Sequence, residues 1–167
     1  MAIRILAAVL CAGALCAMDL TSPAFQNGGN IPAQYTCDGG EASPPLAWTG
    51  VPPGTQALAL VVEDPDSPSG VFTHWVVWAI PPTVDKLPEN ASKAGLPGGA
   101  MQGRNNTGRI GWLGPCPQDG AHHYLFHLYA INVTPQLKPG AERSDVDNVD
   151  RGHVIAETTL TGVYSRQ

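Results

Sequence analysis

The sequence predicts an all-β dominated domain, a two-sheet antiparallel β sandwich with one or two short helices. Two features of the chain carry that prediction. Its 19 glycines and 16 prolines among 167 residues are spread along the length rather than gathered into a linker, as expected of short strands joined by turns. Between those turns, runs rich in β-branched and aromatic residues recur with strand length and strand periodicity.

Residues 57–63 form an apolar run that reads as a buried strand, and residues 73–80 form a second, ended by Pro81-Pro82. Residues 83–119 show no sustained period and read as a long irregular stretch, a length usually tied to function or to packing on itself. Residues 122–133 give the clearest strand. His122, Tyr124, Phe126, Leu128 and Ala130 fall on one face, and His123, Leu125, His127, Tyr129 and Ile131 on the other. Residues 144–156 are the one plausible helix of any length, with Ser144 as cap, Asp145 and Asp147 near the positive end, and Val146, Val149 and Val154 as a partial apolar stripe. Gly152 interrupts it, and residues 158–164 close the chain as a strand.

The N-terminus reads differently. Arg4 precedes an apolar run over residues 5–15, with small residues at Ala12-Gly13-Ala14 and Ala17. A basic start, an apolar middle and a small-residue exit describe a secretory signal over residues 1–17. The run is shorter than the roughly 20 apolar residues of a membrane span. Export places residues 18–167 in the periplasm or outside the cell. Cys11 and Cys16 leave with the signal, so Cys37 and Cys116 remain. Two cysteines in an exported chain suggest one disulfide, with free thiols or a metal pair as the alternatives.

With 14 acidic and 9 basic residues and no cluster of lysine or arginine, the chain lacks a nucleic-acid footprint. No polybasic or amphipathic segment supports membrane attachment.

The chemistry concentrates in two motifs. In Asp64-Pro65-Asp66-Ser67-Pro68, proline fixes the backbone and stiffens a turn that bears two carboxylates. That turn leads to His74-Trp75 at the head of a strand. In Gly114-Pro115-Cys116-Pro117-Gln118-Asp119-Gly120, a second rigid turn runs into a strand opening at His122. A histidine opening a buried strand is often only a core residue. Two such rings behind stiff turns point instead to a site at the mouth of a β scaffold.

These motifs resemble the phosphatidylethanolamine-binding protein family, in particular its bacterial Raf-kinase-inhibitor-like branch. The resemblance also takes in Tyr35-Thr36-Cys37-Asp38-Gly39, Ser43-Pro44-Pro45-Leu46, Gly103-Arg104-Asn105-Asn106-Thr107-Gly108 and Gly162-Val163-Tyr164-Ser165-Arg166, in the family's order across nearly the whole of residues 18–167. It implies a β sandwich in which the positions of Asp64, His74, Gly114, Pro115 and His122 line a small pocket for phosphate-like anions. Asp66, on the same turn as Asp64, is placed with them. The resemblance also brings the loops of Cys37 and Cys116 near that pocket. It implies a non-catalytic binder of a phosphate headgroup or carboxylate, without cofactor, and the family's name implies modulation of a kinase or protease.

A protonated imidazole can hold an anion oxygen, and Asp64 is expected to sit behind His74 and favour its charged form. Trp48, Trp75 and Trp112 are candidate walls, although Trp75 and Trp78 read more readily as core. Three positions depart from the family pattern: His123 stands where arginine is usual, Trp112-Leu113 where tyrosine and glycine are common, and Ser67 where alanine is frequent.

Two other chemistries use the same residue types. Asp64, His74 and Ser67 would make a hydrolase relay, but the chain has no Gly-x-Ser-x-Gly elbow and Ser67 shares a turn with Asp64. Asp64, His74 and His122 would make a metal set, with His123 and His127 as a second pair.

Overall fold

The computed structural model describes residues 17–166. The expected secretory segment falls on residues 1–16 and Ala17, so nearly all of it lies outside them. Nine strands follow in order: β1 (Asp19–Thr21), β2 (Gly29–Asn30), β3 (Leu46–Thr49), β4 (Ala57–Asp64), β5 (Phe72–Ile80), β6 (Lys86–Leu87), β7 (Met101–Gln102), β8 (Ala121–Ile131) and β9 (Val154–Ser165). A one-turn helix α1 (Ala91–Ala94) lies between β6 and β7, and α2 (Arg143–Asp150) between β8 and β9. No helix among the described residues is long and apolar enough to cross a membrane.

The strands form two sheets, a small one in the order β1-β3-β6 and a large one in the order β2-β9-β8-β4-β5-β7. Every named strand pair is antiparallel except the two-residue pairing of β2 with β9. The core lies between the sheets. Leu20, Leu46, Trp48 and Leu87 of the small sheet join Leu58, Leu60, Val62, Trp75, Val77, Phe126 and Leu128 of the large one in a single buried cluster. A second cluster covers part of the outer face, where Val146 of α2 packs on Ala59, Val76 and Trp78. The middle of β4 and β5 is therefore buried on both faces, which is why those strands read as continuous apolar runs.

Burial along β8 follows the expected alternation. Tyr124, Phe126, Leu128 and Ala130 are buried, while Leu125, His127 and Tyr129 are half-buried on the other face.

The expected helix over 144–156 needs correction at both ends. It begins at Arg143 with Glu142 as cap, and Glu142 and Asp145 bond each other's backbone reciprocally. This capping box displaces Ser144 from the cap position. Gly152 takes φ +80°, a left-handed turn that costs glycine little. Beyond it, Val154 and Ala156 pair with Ile131 and Ala130, so sheet pairing overrides the apolar stripe.

The stretch 83–119 is less irregular than its sequence suggests. It holds β6, α1 and β7, and polar side chains organise the rest. Gln102 Oε1 accepts hydrogen bonds from Trp75 Nε1 at 3.0 Å and Ser92 Oγ at 2.9 Å. Ser92 Oγ in turn accepts from Trp112 N at 2.8 Å, and Trp112 Nε1 donates to Tyr35 O at 3.2 Å. This chain of bonds leads from the core to Leu113, at the rim of the site.

Candidate functional site

The site is built where β4 ends and where β5 and β8 begin. The antiparallel order β8-β4-β5 brings Asp64 close to the starts of both neighbours, so two histidines distant in sequence meet one carboxylate. Asp64 is only 4 % exposed. Its Oδ1 accepts from Asp66 N at 2.8 Å, and its Oδ2 accepts from His122 Nδ1 at 2.7 Å.

His74 reaches the site through a break in register. Val62 pairs with Trp75 and Glu63 with Thr73, so His74 has no partner on β4. A bulge of this kind lets a strand re-aim one side chain. His74 Nδ1 donates to the Leu113 carbonyl at 2.8 Å. Its ring packs at 5.0 Å from Phe72 and edge-on at 5.2 Å from Tyr124.

A cavity of about 410 Å³ opens here, lined by Asp64, His74, Gly114, His122 and Tyr124, with walls from Phe72, Leu113, Pro68, Pro117 and the Cys37–Cys116 pair; Glu41, Ser67, Ser69 and Gln118 complete the lining. That volume suits a small ligand. Cys37 and Cys116 form a disulfide, as the cysteine count suggested. A β-carbon at Gly114 would lie 2.8 Å from the Thr36 carbonyl carbon, so this position needs glycine for the two walls to approach.

Four of the six sequence-expected residues thus face one cavity, and two do not. Asp66 points away, and its Oδ2 accepts from both His123 N at 2.8 Å and His123 Nδ1 at 2.7 Å. These bonds hold its carboxyl below the usual carboxylate range, and its work is to tie the Asp64 turn to β8. Pro115 is buried outside the lining, and its carbonyl accepts from Cys37 N at 3.1 Å.

The expected placement of Asp64 behind His74 is also corrected, because Asp64 bonds His122. Burial pushes the His74 imidazole below its ordinary value, against the opposing pull of the Leu113 carbonyl and the more distant Asp64 carboxylate, while His122 adds to the lowering. His74 is therefore biased toward its neutral form. The tryptophans are not walls. Trp48, Trp75, Trp78 and Trp112 are all core residues, at most 4 % exposed, and Trp112 stacks on Phe126 at 6.0 Å.

Neither alternative constellation is assembled. Ser67 Oγ shares a hydrogen bond with Ser69 Oγ at 3.1 Å rather than with a histidine. His123 turns to Asp66, while His127 Nδ1 meets Thr159 Oγ1 at 2.8 Å. Among the described residues, no group of three or more His, Cys, Asp or Glu side chains is arranged around a common metal position.

Sequence reasoning did not place Tyr124 or Phe72 in the site. Tyr124 is fully buried, with the Cys116 backbone beside its hydroxyl. Burial first, and then the Asp64 carboxylate, push its phenol well above the ordinary value. The signal was present, since strand alternation puts Tyr124 on the same face as His122. Phe72 lay one residue before the expected start of its strand.

The comparisons with known proteins agree with this architecture. A family model described as phosphatidylethanolamine-binding protein matches residues 21–165. A UPF0098 protein of Methanothermobacter thermautotrophicus is 49% identical over 150 residues, covering 89% of this chain and 99% of that one. A crystal structure of a putative phosphatidylethanolamine-binding protein homolog from Chlamydia trachomatis superposes with a TM-score of 0.85 at 39% identity, covering 90% of this chain and 99% of that one. E. coli YbcL, described as a new member of the mammalian family, also gives 0.85, at 34% identity over 91% of this chain and 100% of its own. The chain belongs to the phosphatidylethanolamine-binding protein family.

Proposed function

We propose that this is an exported, non-catalytic binding protein whose cavity holds a small anion, a phosphate or carboxylate group, between His74 and His122. One observation carries the reading. Both rings line the same cavity, and each has its Nδ1 engaged by a fixed acceptor, Leu113 O or Asp64 Oδ2. Those acceptors set the tautomer, leaving Nε2 as the nitrogen available to a ligand. In a neutral ring that nitrogen offers a lone pair, which repels an anion. Once protonated it becomes a charged donor, which attracts one.

Among the described residues no lysine or arginine lines the cavity, so the imidazoles supply the positive charge for an anion. Burial biases His74 toward neutrality until an anion arrives, and an anion between the rings draws a proton onto each, with Asp64 as the ion-pair partner of His122. Binding therefore strengthens as pH falls. The disulfide and the N-terminal apolar segment support export. The Ser67–Ser69 and Asp64–His122 pairings leave no relay from Asp64 through His74 to Ser67, which supports binding without turnover.

Thermal shift and calorimetry with phosphate and sulfate test this. Sulfate keeps its charge between pH 6 and 8, so its pH trend reports the protein alone. Both anions should protect more at pH 6 than at pH 8, and His122→Gln should abolish the protection. Vesicles containing phosphatidylethanolamine, set against free phosphate, separate a lipid headgroup from a soluble anion. Absence of protection at millimolar anion, or the opposite pH trend, would rule the reading out.

A further inference from the structure

The disulfide is part of the cavity wall, and it is open to solvent. Cys37 and Cys116 both line the cavity, and Cys116 is exposed while Cys37 is half-buried. The bridge closes a sequence separation of 79 residues and joins two loops that pack side by side in the cavity wall.

Those loops are anchored unequally. On the Cys37 side, Thr36 Oγ1 donates to Ala33 O at 2.8 Å and accepts from Asp38 N at 3.2 Å. Asp38 in turn accepts from Tyr164 Oη at 2.7 Å and from Arg166 Nη2 at 3.1 Å, near the end of β9. On the other side, Leu113 N bonds His74 O and the Pro115 carbonyl accepts from Cys37 N. Beyond Pro115, residues 116–119 make no backbone–backbone hydrogen bond among the described residues. Pro117 and Gln118 form cavity wall, and the bridge at Cys116 ties them to the Cys37 loop beyond the reach of the Cys37 N–Pro115 O bond.

We propose that the Cys37–Cys116 disulfide is a thiol–disulfide exchange site that gates the cavity, and that its reduction frees residues 116–120 and weakens the hold on the anion. This rests on the reading of the cavity as an anion site. The co-reactant is a dithiol reductant. One of its thiolates attacks Sγ of Cys116, the more exposed residue of the pair, and the S–S bond breaks with Cys37 leaving as a thiolate that takes up a proton. The second thiol of the reductant then attacks the mixed disulfide, releasing the Cys116 thiol. Two electrons and two protons pass to the protein, and the reductant ends as a disulfide. Linkage requires reciprocity, so a bound anion must protect the bridge by the same factor by which reduction weakens binding.

The test compares the oxidised protein, the dithiothreitol-reduced protein and Cys37→Ser/Cys116→Ser at pH 6. Backbone amide order parameters at residues 116 and 118–120 should fall below about 0.6 on reduction, with β8 unchanged. Phosphate affinity should fall by about tenfold, and saturating phosphate should shift the dithiol–disulfide equilibrium of the bridge toward the oxidised form by the same factor. Equal backbone order at 116 and 118–120 in both redox forms, or equal phosphate affinity with a reduced bridge, would overturn the gate. If the oxidised protein binds no phosphate, the anion reading fails, and the order parameters alone decide the redox opening. Should the double serine variant not fold, the reduced wild-type protein supplies the same comparison.

Discussion

The two ends of β8 each hold a buried aspartate, and they treat it in opposite ways. At the start of the strand, Asp64 is 4 % exposed and both of its oxygens accept hydrogen bonds. At the far end, Asp150 is 7 % exposed, and its Oδ1 has no hydrogen-bond partner among the described residues. Asp150 also closes α2, where the helix dipole is negative. Burial, reinforced by Asp147, raises its carboxyl to about 6. One carboxylate organises a site, while the other is a cost borne by the fold. What separates them is the supply of donors, not the depth of burial.

Breaking the well-supplied end should have the largest effect. Asp64→Ala strands the His122 Nδ1–H and the Asp66 N–H, and should cost about 3 kcal/mol of stability in urea unfolding, with loss of phosphate protection. Relieving the poorly supplied end should act in the other direction. The folded protein holds the Asp150 proton up to about pH 6, while the unfolded chain releases it near the ordinary carboxylate value. Stability therefore falls as pH rises between those values and stays lower above them. Asp150→Asn should gain about 1–2 kcal/mol at pH 7, and the gain should vanish below about pH 4. A variant equally stable at both pH values would show that Asp150 finds a donor in solution. The smallest effect belongs to Asp66→Ala. Its pairing with His123 is exposed, so the loss should stay below about 1 kcal/mol.

The same contrast marks what the sequence made legible. Strand alternation disclosed the inward face of β8, and the turn chemistry around Pro65, Pro68, Pro115 and Pro117 located both walls of the cavity. Family motifs identified Asp64, His74, Gly114 and His122. The partner of Asp64 was not legible, because the bulge at His74 depends on the register of β4 against β5, and register is a tertiary property. Asp66 and Pro115 share turns with true lining residues, and only backbone direction tells them apart. The helix was overextended because Val154 suits a helical stripe as well as a strand, and Gly152 with the pairing to Ile131 decided for the strand. The polar chain through Ser92, Gln102 and Trp112 links distant segments that carry no local pattern.

The central claim is that His74 and His122 address one anion together. The five histidines can be followed by imidazole nitrogen NMR at pH 6 while sulfate is added. The nitrogens of His74 and His122 should shift together along one binding curve, with His127 and His153 unmoved, and before sulfate His74 should titrate below the ordinary imidazole value. Saturable binding that moves neither His74 nor His122, or a uniform drift of all five rings, would contradict the account.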